Sequence, residues 1–193
     1  MLTTPKGAGK SSYELIEPNR VFDRLALDKH TVFLDIACGF GRYALKAAEI
    51  IGDEGIVFAI DLWPPGIAAL QNDAAEKKAG NIWASVGDAS RRLPLRDNSI
   101  DVCLMATVLH DLVEAGTDKR ALKEITRVLR PDGELFIIEF KKIEGPPGPP
   151  IGIRLSDEQV ESIVTPFGFQ AMESRSVGDF NYLQGFAVKL SAG

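Results

Sequence analysis

The chain has 193 residues, 45% of them hydrophobic and 25% charged, with a net charge of -5. That length supports one domain with a sizeable core, and the composition excludes a disordered polymer. An acidic chain gains nothing from phosphate counterion release, so nucleic acid is not an expected partner, and no apolar run reaches the roughly 20 residues of a membrane-spanning helix.

The N-terminal stretch MLTTPKGAGKSS lacks the apolar centre of a signal peptide and is expected to be a loose end. Gly9-Lys10-Ser11 has the ending of a phosphate-binding loop. The motif needs a glycine where Thr4 stands and a strand before it, so that reading is rejected. Residues 13–27 carry apolar side chains at Leu15, Ile16, Val21, Phe22, Leu25 and Leu27, which predicts one or two short helices broken near Pro18.

The organising stretch is TVFLDIACGFGRYALKAA, residues 31–48. An apolar strand over 32–36, interrupted only by Asp35, runs into the turn Gly39-Phe40-Gly41. Apolar residues at helical spacing follow (Tyr43, Ala44, Ala47, Ala48, Ile51). Strand, glycine loop and helix form the unit that opens a nucleotide-binding α/β sheet, and glycines there let backbone approach a ligand closely. A plain tight turn has the same residues.

A second strand over 56–60 again ends on an acid, Asp61. Pro64-Pro65 then opens a helix over 66–79, with Gly80 expected to close it. A third strand over 82–86 leads into Gly87-Asp88-Ala89 and a polar loop containing Arg91-Arg92, read as a surface turn. A fourth strand over 100–107 is followed by His110-Asp111. An amphipathic helix over 117–129 stops at Arg130-Pro131-Asp132-Gly133, and the fifth strand covers 134–140. Alternation of this length predicts a parallel sheet with helices on both faces. The stiff Gly-Pro loop within 141–154 precedes a helix over 156–164 with a capping-box start, Ser156 to Gln159. Strands over 169–177 and 182–190, joined by Gly178 to Asn181, close the chain as an antiparallel pair.

Gly39-x-Gly41-x-x-Ala44 with Asp61 about twenty residues on also fits a dinucleotide fingerprint. Three features weigh against it. Asp35 would repel a pyrophosphate and suits a cationic or amine-bearing ligand. Asp88 is placed to accept from an exocyclic amine such as that of adenine. The antiparallel C-terminal pair lies outside the usual dinucleotide fold.

LDIACGFGRYAL, AIDLW, VGDASRRLPLRDNSIDVCLMATVLHDL and LKEITRVLRPDGELFIIEF, in that order, resemble class I S-adenosylmethionine-dependent methyltransferases. The likeness is greatest to the small single-domain group that includes the ubiquinone/menaquinone-biosynthesis C-methyltransferases. It covers residues 31–140 closely. The resemblance implies a Rossmann-like α/β fold with a mostly parallel seven-stranded sheet of order 3-2-1-4-5-7-6 and an antiparallel last strand. It implies one domain over 1–193, with 1–28 as a helical lid segment including Tyr13 and 29–193 as the core. It also implies S-adenosylmethionine as cofactor and S-adenosylhomocysteine as product. Asp35, Cys38, Gly39 and Gly41 would line the methionine end, and Asp61 the ribose. Leu62 would pack on adenine, Asp88 with Ala89 would take the adenine amine, and Ala106 would close the pocket floor.

Methyl transfer from a sulfonium asks the protein to align a nucleophile and exclude water, with a base only where the nucleophile arrives protonated. His110 is the candidate base and Asp111 its orienting or substrate-binding neighbour. Lys141 and Lys142 are candidates to face an anionic substrate. No Cys/His/Asp cluster has metal-ligand spacing, so no metal is expected. Cys38 and Cys103 read as reduced core residues, which places the chain in the cytoplasm and leaves out the cysteine set of an arsenite methyltransferase. The expected acceptor is a small molecule, with the protein a monomer or homodimer. The competing functions are a nicotinamide-dinucleotide oxidoreductase and a non-catalytic S-adenosylmethionine-binding module.

Overall fold

A computed structural model of the chain describes residues 7–189. The sequence-predicted strand end at Leu190 and the first six residues of the N-terminal stretch lie outside those residues. Seven strands form one sheet of order β3-β2-β1-β4-β5-β7-β6. They are β1 (Val32–Ile36), β2 (Ile56–Asp61), β3 (Ile82–Val86), β4 (Ile100–Ala106), β5 (Leu129–Phe140), β6 (Phe169–Ser176) and β7 (Asn181–Val188). All neighbours pair in parallel except at β7, which runs antiparallel to both β5 and β6. The expected Rossmann-like methyltransferase sheet is therefore the observed one.

Strand side chains alternate between two buried layers, so runs that look uniformly apolar serve both faces at once. Phe33, Val57, Leu104 and Phe136 face helices α1 (Pro18–Leu25), α2 (Arg42–Ile51) and α3 (Pro64–Glu76). Leu34, Ile60, Cys103 and Ile137 face α5 (Asp118–Val128) and α6 (Asp157–Val164). Helix α2 presents the five predicted residues, and its three alanines let it lie close to the sheet. Burying one such leucine or phenylalanine is worth about 1.5–3 kcal/mol, so the two layers fix the strand register.

The break near Pro18 falls where expected, with a 3-10 turn over Tyr13–Leu15 before it and α1 starting on the proline. The N–H that proline lacks has no helical partner in the first turn. Other boundaries differ from the sequence reading. Helix α3 ends at Glu76, short of the expected 79. Lys78, at φ 56°, takes the left-handed position expected of Gly80. The Lys78 N–H donates to the Ala75 carbonyl and the Ala79 N–H to that of Ala74, the paired bonds of a Schellman stop. Strand β5 begins at Leu129. Its pairing with β4 jumps from Ile100–Leu129 to Val102–Glu134, so Arg130 to Gly133 form a bulge within the strand. The capping box of α6 is complete, with Ser156 and Gln159 each accepting from the other's backbone N–H. A short helix that periodicity did not predict, α4 (Leu109–Glu114), follows β4 and carries His110.

Candidate active site

Strands β1 and β4 are neighbours, and the chain crosses from one side of β1 to the other between them. The crevice at the C-terminal ends of these strands is where a doubly wound sheet takes ligands. The sequence-predicted residues converge there. Ala37 and Cys38 leave β1 with both N–H groups donating to the Ile60 carbonyl of β2, which folds the glycine loop over the strand ends. Gly41 is at φ 69°, and a Cβ on it would lie 2.4 Å from Leu70, so no side chain fits. A Cβ on Gly66, in the first turn of α3, would sit 2.5 Å from the Gly39 carbonyl oxygen. Helix and loop thus touch backbone to backbone.

Asp61 holds this arrangement. One carboxylate oxygen accepts from the Gly39 N–H at 2.8 Å and the other from the Trp63 N–H at 2.7 Å. Asp35, only 1% exposed, uses one oxygen to accept from the Ala44 N–H in α2 at 3.1 Å. Its other oxygen is buried and has no hydrogen-bond partner among the described residues. Burial pushes the Asp35 carboxyl up to about 8; the Ala44 bond opposes this and the Asp61 charge adds to it. A buried acceptor left empty beside a glycine loop calls for a donor, and a cationic one would drive off the proton.

Cys38 is buried, with its thiol pushed up by burial and by the Asp35 and Asp61 charges, so it lines the loop without being reactive. Leu62 is exposed at the mouth. Asp88 accepts from the backbone N–H and the hydroxyl of Ser90 through one oxygen, at 2.8 and 2.7 Å. The other lies 3.4 Å from Arg91 Nε. Ala89 packs against the layer containing Ile60, and Ala106, at the end of β4, packs against the opposite layer.

His110 and Asp111 share the first turn of α4, with Nε2 3.7 Å from the Asp111 carboxylate. The imidazole Nδ1 meets Glu139 Oε2 at 2.7 Å, and the His110 backbone N–H donates to Glu139 Oε1 at 3.1 Å. Burial alone would lower the His110 pKa. The Glu139 bond and charge, with the charges of Asp111 and Glu114, outweigh it and raise it.

The lysines proposed for an anionic substrate are engaged otherwise. Lys141 Nζ donates to the Ser176 hydroxyl and to the carbonyls of Gly178 and Asp179, pinning the β6–β7 connection. Lys142 donates to Gln159. Arg91 and Arg92 are exposed, as a surface turn requires.

Sequence reading missed four features. Glu139 is fully buried at the end of β5. Its signal was the one that revealed Asp35, an acid inside an apolar strand. Residues 7–12 form a strap across the site instead of a loose end. Gly7 approaches Asp111, Gly9 approaches Trp63 and Phe40, and the Lys10 carbonyl faces Gly39. Ser12 bonds the Tyr43 hydroxyl at 3.0 Å and accepts from the Thr107 hydroxyl at 3.3 Å. Thr107, between β4 and α4, has φ 53°, a strained conformation for a β-branched residue. Finally, buried Arg154 donates to the carbonyls of Lys141, Ile143, Gly145, Pro147 and Pro149, wrapping the proline-rich loop around one guanidinium. Two grooves of about 300 and 340 Å³ lie along β3, away from this carboxylate cluster.

The family model described as a methyltransferase domain matches residues 34–137, the stretch from β1 through β5 that builds these walls. The chain belongs to the methyltransferase-domain family. A ubiquinone/menaquinone biosynthesis C-methyltransferase of Hahella chejuensis is 33% identical over 134 residues, 66% of this chain and 52% of that protein. A methyltransferase-like protein of Schizosaccharomyces pombe is 27% identical over 131 residues, 68% of this chain and 46% of its own length. The chain spans about half the length of the curated relatives it matches. A SAM-dependent methyltransferase from Aquifex aeolicus superposes with a TM-score of 0.83 at 26% identity, covering 92% of both chains. The [4+2]-cyclase SpnF shares the fold, with a TM-score of 0.75 at 22% identity over 90% of this chain and 80% of its own.

Proposed function

We propose that this methyltransferase-family chain transfers the methyl group of S-adenosylmethionine to a small-molecule acceptor and releases S-adenosylhomocysteine. The observation that carries the reading is the empty buried oxygen of Asp35 beside the glycine loop, an acceptor of the right charge for the cofactor's ammonium. When bound, S-adenosylmethionine supplies a methyl group already activated on a sulfonium. The protein's work is to hold, orient and keep dry. Asp35 receives the ammonium. Asp61, with lone pairs left after bonding Gly39 and Trp63, accepts from the ribose hydroxyls. Cys38, Gly39 and Gly41 line the methionine end, Leu62 covers the adenine, and Asp88 and Ala89 meet its amine. Ala106 floors the pocket, and the strap over residues 7–12 excludes water.

His110 takes the acceptor's proton and Asp111 orients the acceptor or the imidazole. Carbon methylation, named in the relatives, and oxygen methylation both release such a proton. The carboxylates of the site and the engaged lysines favour a neutral acceptor over an anionic one or a nucleic acid. Two buried, unpaired cysteines support a cytoplasmic setting. We place all of residues 1–193 in one domain that works as a monomer or homodimer. Among the described residues no helix is long and apolar enough to cross a membrane.

The test is a thermal-shift comparison of S-adenosylhomocysteine with a nicotinamide dinucleotide. Stabilisation by the former alone is expected, and by about 2.7 kcal/mol at a hundredfold excess over Kd. Stabilisation by the dinucleotide would overturn the reading.

A further inference from the structure

Glu139 is one of the few charged groups placed wholly inside the fold, at 0% exposure in a strand that is otherwise apolar over its last six residues. A bare carboxylate there would be costly, and the structure surrounds it with donors. The backbone N–H groups of His110 and Phe140 reach it at 3.1 and 3.4 Å, and the imidazole at 2.7 Å. The imidazole is thus gripped at two points on the same residue, backbone and ring, which fixes its plane as well as its position. Phe140 closes a third side, with its ring edge-on to the imidazole at 6.4 Å.

An ionised carboxylate only accepts, so the ring atom facing it must carry hydrogen. That assigns the proton to Nδ1 and leaves Nε2 as the atom that gains and loses one. Nε2 points the other way, to Asp111 at 3.7 Å, and the Asp111 carboxylate lies beneath the strap at Gly7. The basic nitrogen therefore faces the side of the crevice that the strap covers.

We propose that Glu139 is a positioning residue that holds His110 with Nε2 as the proton-accepting atom, suiting the site to an acceptor that must lose a proton, such as a phenol or alcohol hydroxyl. The inference rests on the methyl-transfer reading. In the balanced step the hydroxyl oxygen's lone pair forms the new O–C bond. The C–S pair stays on sulfur as a neutral thioether, and the hydroxyl proton moves to His110 Nε2. The positive charge passes from sulfonium to imidazolium, where Glu139 and Asp111 stabilise it. The groups that set the imidazole's titration are Glu139 on β5 and Asp111 and Glu114 on α4, while Tyr182 on β7 lies opposite Glu139 in the sheet.

The chain contains two histidines, and the other, His30, is exposed and serves as an internal reference. The experiment is a pH titration of the ¹⁵N-histidine-labelled full chain followed by long-range ¹H–¹⁵N spectra, with H110Q for assignment. Nδ1 should stay protonated while Nε2 titrates, with a midpoint above the ordinary imidazole value. In Glu139→Gln that midpoint should fall, because burial is then opposed only by the Asp111 and Glu114 charges. A resting proton on Nε2 with Nδ1 titrating, or an unmoved midpoint in Glu139→Gln, would overturn the proposal. Should Glu139→Gln not fold, Glu139→Asp keeps the charge at a longer reach, and the wild-type tautomer decides by itself. Calorimetry with S-adenosylhomocysteine separates the two failures, since the tautomer can be wrong while the cofactor still binds.

Discussion

Asp35 and Asp61 show how two acids of similar sequence context come to do different work. Both stand at the ends of apolar strands, yet Asp61 satisfies both oxygens on backbone and Asp35 satisfies one. The consequence for Asp35 is a stability that depends on pH. Its carboxyl rises from an ordinary 3.8 to about 8 in the fold, so the unfolded chain gives up its proton first. Stability is whole below the ordinary value and is lost as pH climbs from about 4 to about 8. Asp35→Asn should therefore raise the melting temperature by an amount that grows across that window, read by calorimetric scans at pH 5, 6.5 and 8. An increment that stays flat with pH would contradict the burial argument. His110, also raised, loses its stabilising part as pH climbs from the ordinary 6.5 through its folded value, and Asp35→Asn leaves that slope in place. For Asp61→Ala, a loss of about 1.5–3 kcal/mol in S-adenosylhomocysteine affinity is expected from charge-assisted bonds, measured by titration. Asp35 and Asp61 were legible because each ended an apolar run beside a glycine or a turn. Glu139 was equally exceptional in LFIIEF, but its partner is 29 residues away in the chain, and no local pattern announces that contact.

At the level of elements, the places where sequence reading slipped are those where no residue type announces what the backbone does. Nothing local told α3 to stop at Lys78 when Gly80 stood two residues on. A lysine in the left-handed region carries about 1–2 kcal/mol of strain, so Lys78→Gly should stabilise the protein by about 1 kcal/mol in urea unfolding, offset in part by the glycine's own entropy. The path of the strap was not readable from the residues either, although the resemblance implies a lid over 1–28. Its residues are mostly small or polar, and the hydroxyls of Tyr43 and Thr107 give the Ser12 side chain a place. Ser12→Ala should release it, seen as faster limited proteolysis within residues 7–15 and a weaker ligand-induced protection. The proline-rich loop is held by one buried guanidinium with five carbonyl partners. Lysine has three donors and no planar fork, so Arg154→Lys should destabilise the fold by about 2–3 kcal/mol despite keeping the charge.

The whole molecule follows from the order in which strands and helices alternate. The sheet order places β2 and β4 on either side of β1, which brings Asp35, Asp61, Ala106 and His110 to one end of the sheet. The alternation was readable because most of the strands are short apolar runs closed by a turn signal, whereas the strand order came from the family resemblance. The antiparallel return of β7 was readable because only four residues separate it from β6. The acceptor side that we propose was less readable, since the strap and α4 meet only in three dimensions. A methyltransferase and a [4+2]-cyclase share this fold, so function is argued from the site and not from the sheet.

The central claim is that the empty oxygen of Asp35 receives a cationic ligand at the glycine loop. Calorimetric titration of the full chain with S-adenosylhomocysteine tests it, run at pH 7 in two buffers of different ionisation enthalpy with a nicotinamide dinucleotide as control. Binding in the region of about 1 μM is expected, with net proton release as Asp35 ionises against the ammonium, no release in Asp35→Asn, and silence from the dinucleotide. Binding of the dinucleotide, or of S-adenosylhomocysteine without proton release, would contradict the account.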